Sequence, residues 1–276
     1  MKGKKSNIVI YILLVILAVI FLAPIFIILF NSFKGKLYIS DAPFKLPTAE
    51  TFSGLQNYID GLSKTGFLSA FGWSIFITFF STIVIVLFTA MTGWYITRSK
   101  TKVSTSLYFI FVFSMIVPFQ MVMFTMSKVA NMLNLDNPVG LIVLYIGFGA
   151  GLSIFMFSGF VKSIPIDIEE AALIDGCNPI KTFFLIVLPL LKPICITVAI
   201  LNVMWIWNDY LLPSLVLKSD YKTIPMAVQY LRGGYGAIDM GAMMAVLVLA
   251  IIPIIIFYLT CQKYIIEGVA AGAVKG

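Results

Sequence analysis

Histidine is absent from the 276 residues. That removes the commonest metal ligand and the side chain best suited to moving protons near neutral pH. Cysteine occurs only at Cys177, Cys195 and Cys261. These positions are scattered and odd in number, so neither a disulfide framework nor a metal-binding spacing follows. No GxxxxGK[ST] loop is present, so the chain has no recognisable nucleotide site of its own. Charged residues are scarce, at 11%, against about a quarter in an ordinary soluble domain.

What is present is apolar, with 61% hydrophobic residues. No soluble domain can hide that much apolar surface, so the fold class expected is an all-α polytopic membrane protein. The net charge of +7 is then no sign of a nucleic-acid partner; where the charges fall matters more. Six spans are expected in one transmembrane domain covering 1–276, at about 8–30, 70–97, 105–127, 139–161, 193–215 and 240–262. Lys2, Lys4 and Lys5 precede the first span, and Arg98, Lys100 and Lys102 follow the second. By the positive-inside rule both links, the loop 162–192 and the tail 263–276 lie in the cytoplasm, with both termini. Gly147, Gly149 and Gly151 in the fourth span allow close helix approach.

The loop after the fourth span is the longest helical text that is not simply apolar. Pro165 suits an opening turn, and Asp167 with Glu170 resembles a capping pair at a helix N-terminus. Gly176 suits the left-handed residue that ends a helix. Asn178 then caps a second helix that begins at Pro179 and runs to Pro189. Local chemistry alone leaves open an ordinary amphipathic connector.

The text EAALIDGCNPIKTFFLIVLP, from Glu170 to Pro189, resembles the EAA-x3-G-x9-I-x-LP signature of permease subunits of ATP-binding cassette importers. The resemblance implies a coupling helix that seats in a cleft of a cytoplasmic ATPase. Its ATPase-coupling residues are Glu170, Ala171, Ala172, Asp175, Gly176, Ile186, Leu188 and Pro189. Met204 to Tyr210 is similar to the fifth span of carbohydrate-uptake permeases, and GVAAGAVKG from Gly268 to the terminal motif of the maltose-type subfamily. The likeness runs through nearly the whole chain and is to the smaller permease of that class. It implies a type I importer fold and a second, related permease as partner. It also implies two copies of the ATPase, which would bind ATP and magnesium, and an extracytoplasmic solute-binding protein. Gly268, Gly272, Val274, Lys275 and Gly276 would then reach the ATPase. This chain would need no cofactor and would not be an enzyme.

Polar residues inside spans need partners or water. Gln120, Asn202, Asn208 and Asp209 are candidates for a sugar path, with Trp205 and Tyr210 placed to stack on a sugar ring. The same residues also suit helix-to-helix hydrogen bonds and an interfacial aromatic belt. The expected function is therefore the permease subunit of a bacterial sugar importer in the cell membrane. An importer for another solute, such as glycerol phosphate or a polyamine, is the alternative. An ion-coupled carrier would call for intramembrane acids, and only Asp209 is available.

Overall fold

A computed structural model describes residues 2–231 and 239–273. The helices, in order, are α1 (Lys2–Asn31), α2 (Lys36–Asp41), α3 (Gln56–Thr65), α4 (Phe67–Ser99), α5 (Lys102–Ser114), α6 (Phe119–Met132) and α7 (Pro138–Val161). There follow α8 (Asp167–Ile174), α9 (Pro179–Thr182), a π-helical turn (Phe183–Val187), α10 (Leu188–Leu190) and α11 (Lys192–Asn208). Finally come α12 (Leu211–Val216), α13 (Ile224–Tyr230) and α14 (Met240–Ala273). Four stretches are long and apolar enough to cross a membrane: Ile10–Asn31, Phe67–Ser99, Pro138–Val161 and Met240–Tyr264. Counting each of two bent pairs as one span brings the number to six.

The bends are where the structure departs from the expected spans. The stretch expected as one span at 105–127 is two helices, α5 and α6, meeting at 104°. Pro118 is the cause. It disfavours helical geometry at Val117, and α6 restarts with Pro118 as its N-cap. The second bent pair is Pro179–Leu190 with Lys192–Asn208, meeting at 78°, and beyond it the stretch expected at 193–215 stops at Asn208 and restarts at Leu211. Asp209 joins the two pieces in extended geometry. The sixth span and the tail as far as Ala273, expected as separate segments, form one helix, α14.

Two compact units are distinguished, each described by itself. In the first, residues 1–70 with 226–255, Asn57 ties down the chain after α1. Its Nδ2 donates to the carbonyls of Ser32 and Lys34, both at 2.8 Å. α3 lies so close to α14 that a Cβ on Gly61 would stand 2.7 Å from Val246 Cγ2 and 3.0 Å from the Ala242 carbonyl.

The second unit, residues 71–225 with 256–276, holds the candidate site. α4, α7, α11 and the π-helical turn share a core of Ala90, Phe157, Val161, Phe183, Val187, Leu191 and Val198. Glycine sets the spacing. A Cβ on Gly93 of α4 would meet Phe157 Cβ of α7 at 2.7 Å. Of the α7 glycines singled out in the sequence, Gly149 abuts Ile85 and Asn202, and Gly151 abuts Ser114 and Met115. Gly147 faces open space, with nothing within 4 Å of where a Cβ would stand.

Candidate functional site

The loop after α7 folds as two short helices joined by a tight turn. α8 starts at Asp167 with Ile166 as its N-cap and no side-chain cap. Asp167 is thus not the cap that its spacing to Glu170 suggested. Asp167, Glu169 and Glu170 instead crowd the first turn, where acids oppose the helix dipole favourably. Gly176 ends the helix with φ +84°. Its N–H donates to the Leu173 carbonyl at 3.0 Å and the Cys177 N–H to that of Ala172 at 2.9 Å, the double closure of a Schellman turn. The side chain of Asn178 then accepts from the Lys181 N–H at 2.8 Å and caps α9.

One carboxylate anchors this loop, and it is Glu169. Its Oε1 accepts from Arg98 Nη2 at 2.7 Å and Arg98 Nε at 2.9 Å, and its Oε2 from Trp94 Nε1 at 2.8 Å. Arg98 Nη2 also donates to the Ile164 carbonyl at 2.9 Å. Glu169 is 6% exposed, so this is a buried, two-pronged ion pair between the last turn of α4 and the first turn of α8. Trp94 and Arg98 are four apart on α4, hence on one face. Glu170 and Ala171 are exposed, Ala172 is buried, and Ile186 and Leu188 are half-buried. Asp175, Gly176 and Pro189 are exposed. The outer face of the loop is apolar: Leu173 is 53% exposed, Ile174 86% and Ile180 66%. Three large apolar side chains left bare on one short stretch make a candidate docking face.

A second set of residues meets within the spans. Phe119 and Gln120 open α6 just after the Pro118 break, and Asp209 fills the break between α11 and α12. With Phe148, Trp205, Leu211 and Leu212 they line a pocket of about 250 Å³. Phe119 and Phe148 pack edge to face at 5.2 Å. Asp209 Oδ1 accepts from the N–H groups of Leu211 (2.9 Å) and Leu212 (3.3 Å). Its Oδ2 accepts from the Tyr145 hydroxyl at 3.0 Å, and the Tyr145 ring packs edge-on against Trp205 at 5.4 Å. Interrupted helices leave backbone groups free to line a polar cavity inside a membrane.

The pocket thus brings together Gln120, Trp205 and Asp209, but not the other three path candidates. Asn202 is buried between α11 and α7, where its Nδ2 donates to the Val198 carbonyl at 2.8 Å and Ser153 Oγ at 3.3 Å. Asn208 is exposed and bonds back to the Met204 carbonyl at 2.7 Å. Tyr210 is exposed beside the break. In the tail, Gly268 and Gly272 lie on α14; Val274, Lys275 and Gly276 lie outside the described residues. Sequence reasoning missed Glu169, Arg98, Trp94, Tyr145, Phe119 and Phe148. A tryptophan N–H donor and a cation four apart at a span's end were the available signal for the anchor.

An apolar helical protein with interrupted spans, an internal pocket and a loop bearing exposed apolar side chains has the build of a transport subunit. This chain belongs to the family of binding-protein-dependent transport system inner membrane components, whose pattern matches residues 85–270. It is 39% identical to the probable starch degradation products transport system permease protein AmyC of Thermoanaerobacterium thermosulfurigenes, over 95% of this chain and 94% of the relative. It is 36% identical to the multiple sugar-binding transport system permease protein MsmG of Streptococcus mutans, over 96% of each. To the melibiose/raffinose/stachyose import permease protein MelC of Bacillus subtilis it is 31% identical, over 99% of this chain and 98% of the relative. The fold matches a chain of a bacterial ABC transporter that imports the acidic polysaccharide alginate. That match has a TM-score of 0.81 at 24% identity, over 96% of this chain and 98% of the other.

Proposed function

We propose that this chain forms half of the membrane pathway of an ATP-driven, binding-protein-dependent importer of a neutral sugar or oligosaccharide. The observation that carries this is the pocket at the two helix breaks. Aromatic walls at Phe119, Phe148 and Trp205 flank two hydrogen-bonding side chains, Gln120 and Asp209. Rings offer flat faces to the C–H surface of a sugar, and the amide and carboxylate address its hydroxyls. Among the described residues no lysine or arginine lines the pocket, which disfavours a phosphate ester. A single carboxylate is a poor match to a polyamine's several cations. The relatives named for starch products, multiple sugars and raffinose-type sugars point the same way.

In this reading the whole chain is one permease domain in a bacterial cell membrane, with both termini in the cytoplasm. A second, related permease completes the pathway, and a solute-binding protein delivers sugar from outside. Two cytoplasmic ATPases bind ATP and magnesium; this chain is not itself an enzyme and binds no nucleic acid. Glu170 and the exposed face of Leu173, Ile174 and Ile180 seat in the ATPase, while the anchor at Glu169 transmits its movement to α4. The terminal motif from Gly268 to Gly276 makes a further ATPase contact.

The test is uptake of radiolabelled raffinose and of maltotriose into vesicles holding the complete transporter, with binding protein outside and ATP inside. Uptake of at least one sugar that needs ATP and survives an uncoupler is the expected result. Uptake abolished by the uncoupler would establish an ion-coupled carrier instead. Uptake of glycerol phosphate or putrescine, with neither sugar moving, would overturn the sugar assignment.

A further inference from the structure

A second cavity, of about 490 Å³, opens where α4 ends, α5 begins and α7 ends. Arg98, Lys100 and Lys162 line it, with Tyr108 and Phe109 as its aromatic side. Among the described residues no aspartate or glutamate lines it. Among the described residues neither Lys100 nor Lys162 has an ion-pair partner; Arg98 alone is paired, with Glu169. The hydrogen bonds of Arg98 to Glu169 and Ile164 use Nε and Nη2 and leave Nη1 unused.

Lys100 is not a loose surface side chain. It stands in the short turn between α4 and α5 with φ +45°, a left-handed conformation that glycine adopts with far less strain. Thr101 immediately after it closes a reciprocal capping box with Ser104. The turn is therefore built, and a lysine stands where glycine would be easier. Tyr108 packs against the buried cluster of Ile96, Ala150 and Ile154 and forms a fixed floor.

The depth of the cavity identifies what fits it. Three apolar helices start or stop at its rim, so the rim lies at the membrane surface. Phe109 lines the cavity, and Phe113, one turn further along α5, continues its face; they are 63% and 64% exposed. A cationic mouth over an exposed aromatic stripe matches a phosphate headgroup with its acyl chains lying below it. A soluble phosphate would have no use for the stripe.

We propose that this cavity is a binding site for the headgroup of an anionic phospholipid of the cytoplasmic leaflet, seated on Lys100, Lys162 and the free edge of Arg98. Because Arg98 also holds Glu169, the bound headgroup rests on the guanidinium that anchors the docking loop. The site thereby joins bilayer composition to the position of α8. The proposal rests on the chain's spanning a bilayer and its orientation, and not on the identity of the imported solute.

The experiment is native mass spectrometry of the complete transporter, titrated in detergent with phosphatidylglycerol or phosphatidylcholine. Wild type is compared with Lys100→Gln/Lys162→Gln and with a control of equal charge loss at two exposed sites, Lys45→Gln/Lys128→Gln. Wild type and control should retain phosphatidylglycerol preferentially. The cavity variant should bind it about 30-fold more weakly, the factor for two lost interfacial cations, with phosphatidylcholine unaffected. Equal phosphatidylglycerol retention by all three proteins would overturn the proposal. So would displacement of the lipid by soluble glycerol phosphate at equal concentration, which would make this a site for free phosphate. Loss of the second permease from the cavity variant at unchanged lipid retention would likewise overturn it and mark a protein interface.

Discussion

Two carboxylates are drawn into this protein, and they are held in opposite ways. Glu169 accepts three hydrogen bonds, two of them from a guanidinium. Asp209 also accepts three, from a tyrosine hydroxyl and two backbone N–H groups, and no cation pairs with it among the described residues. An arginine fork fixes both the position and the direction of its partner. Neutral donors orient a carboxylate without cancelling its charge. The first arrangement suits a strut that transmits force between α4 and the docking loop. The second suits a group that still has something to offer a hydroxyl-bearing ligand in the pocket beside it.

The sharpest way to break the comparison is at the strut. Arg98→Ala strands a buried carboxylate and should cost roughly 3–5 kcal/mol, read as a lower midpoint of thermal unfolding and loss of ATPase on copurification. Replacing both partners, Arg98→Met with Glu169→Met, should recover most of the stability, since apolar pairs often match buried ion pairs. It should not recover ATP-driven uptake, because the directional link is gone. Full recovery of uptake in the double variant would reduce the pair to packing.

At Asp209 the expected loss of stability is smaller and the loss of function separable from it. Asp209→Asn keeps an oxygen for the Leu211 and Leu212 amides, so folding should change by less than about 1 kcal/mol, whereas Asp209→Ala should cost about 1 kcal/mol through the lost bonds to those two amides. Uptake should fall with both. Wild-type uptake by Asp209→Asn would show that Asp209 only holds the Leu211 and Leu212 amides at the start of α12.

A third carboxylate calibrates the scale. Asp239 meets Lys64 at 2.5 Å, but the Lys64 side chain is 49% exposed. The hydrogen bond that Lys64 donates to Asp239, opposed by some desolvation, holds Lys64 above its ordinary pKa. Burial pushes Asp239 up, but bonds from Lys64 and the Ala242 amide outweigh it and hold it below 3.8. The pair therefore contributes between the ordinary values, 3.8 and 10.5. The contribution fades as pH falls through the lowered Asp239 value or rises through the raised Lys64 value. Asp239→Asn should cost only about 0.5 kcal/mol at neutral pH, less in high salt. A shift as large as that of Arg98→Ala would mean that exposure does not divide these pairs.

The long helices were legible because a bilayer forces apolar runs of set length. The bend at Pro118 was not, because hydropathy counts residues and ignores direction. Val117 and Pro118 carry the local signal, but the angle between α5 and α6 is set by packing. The docking loop was readable down to Gly176 and Asn178, whose roles depend on neighbours a few residues away. The anchor was not, since Glu169 and Glu170 are adjacent acids on a short helix. Which one turns inward depends on Arg98, 71 residues earlier. The pocket was half-readable: polar residues in apolar runs flagged Gln120 and Asp209. Nothing local separated them from Asn202, whose partner Ser153 lies 49 residues away.

The π-helical turn at Phe183–Val187 gives the signature text a meaning beyond its letters. Pro189 has no N–H to offer the Leu185 carbonyl, and its ring would crowd that oxygen in an α-helix. The Leu188 N–H reaches back five residues, to Phe183, and the widened turn relieves the conflict. A widened turn holds one residue more than the regular helix needs. Everything after it, including Leu188 and Pro189, faces about 100° away from where an uninterrupted α-helix would turn it. The nine-residue gap in the motif is thus a phase setting. Gaining or losing one letter there would rotate the end of the motif about its axis while leaving every residue of the pattern in place.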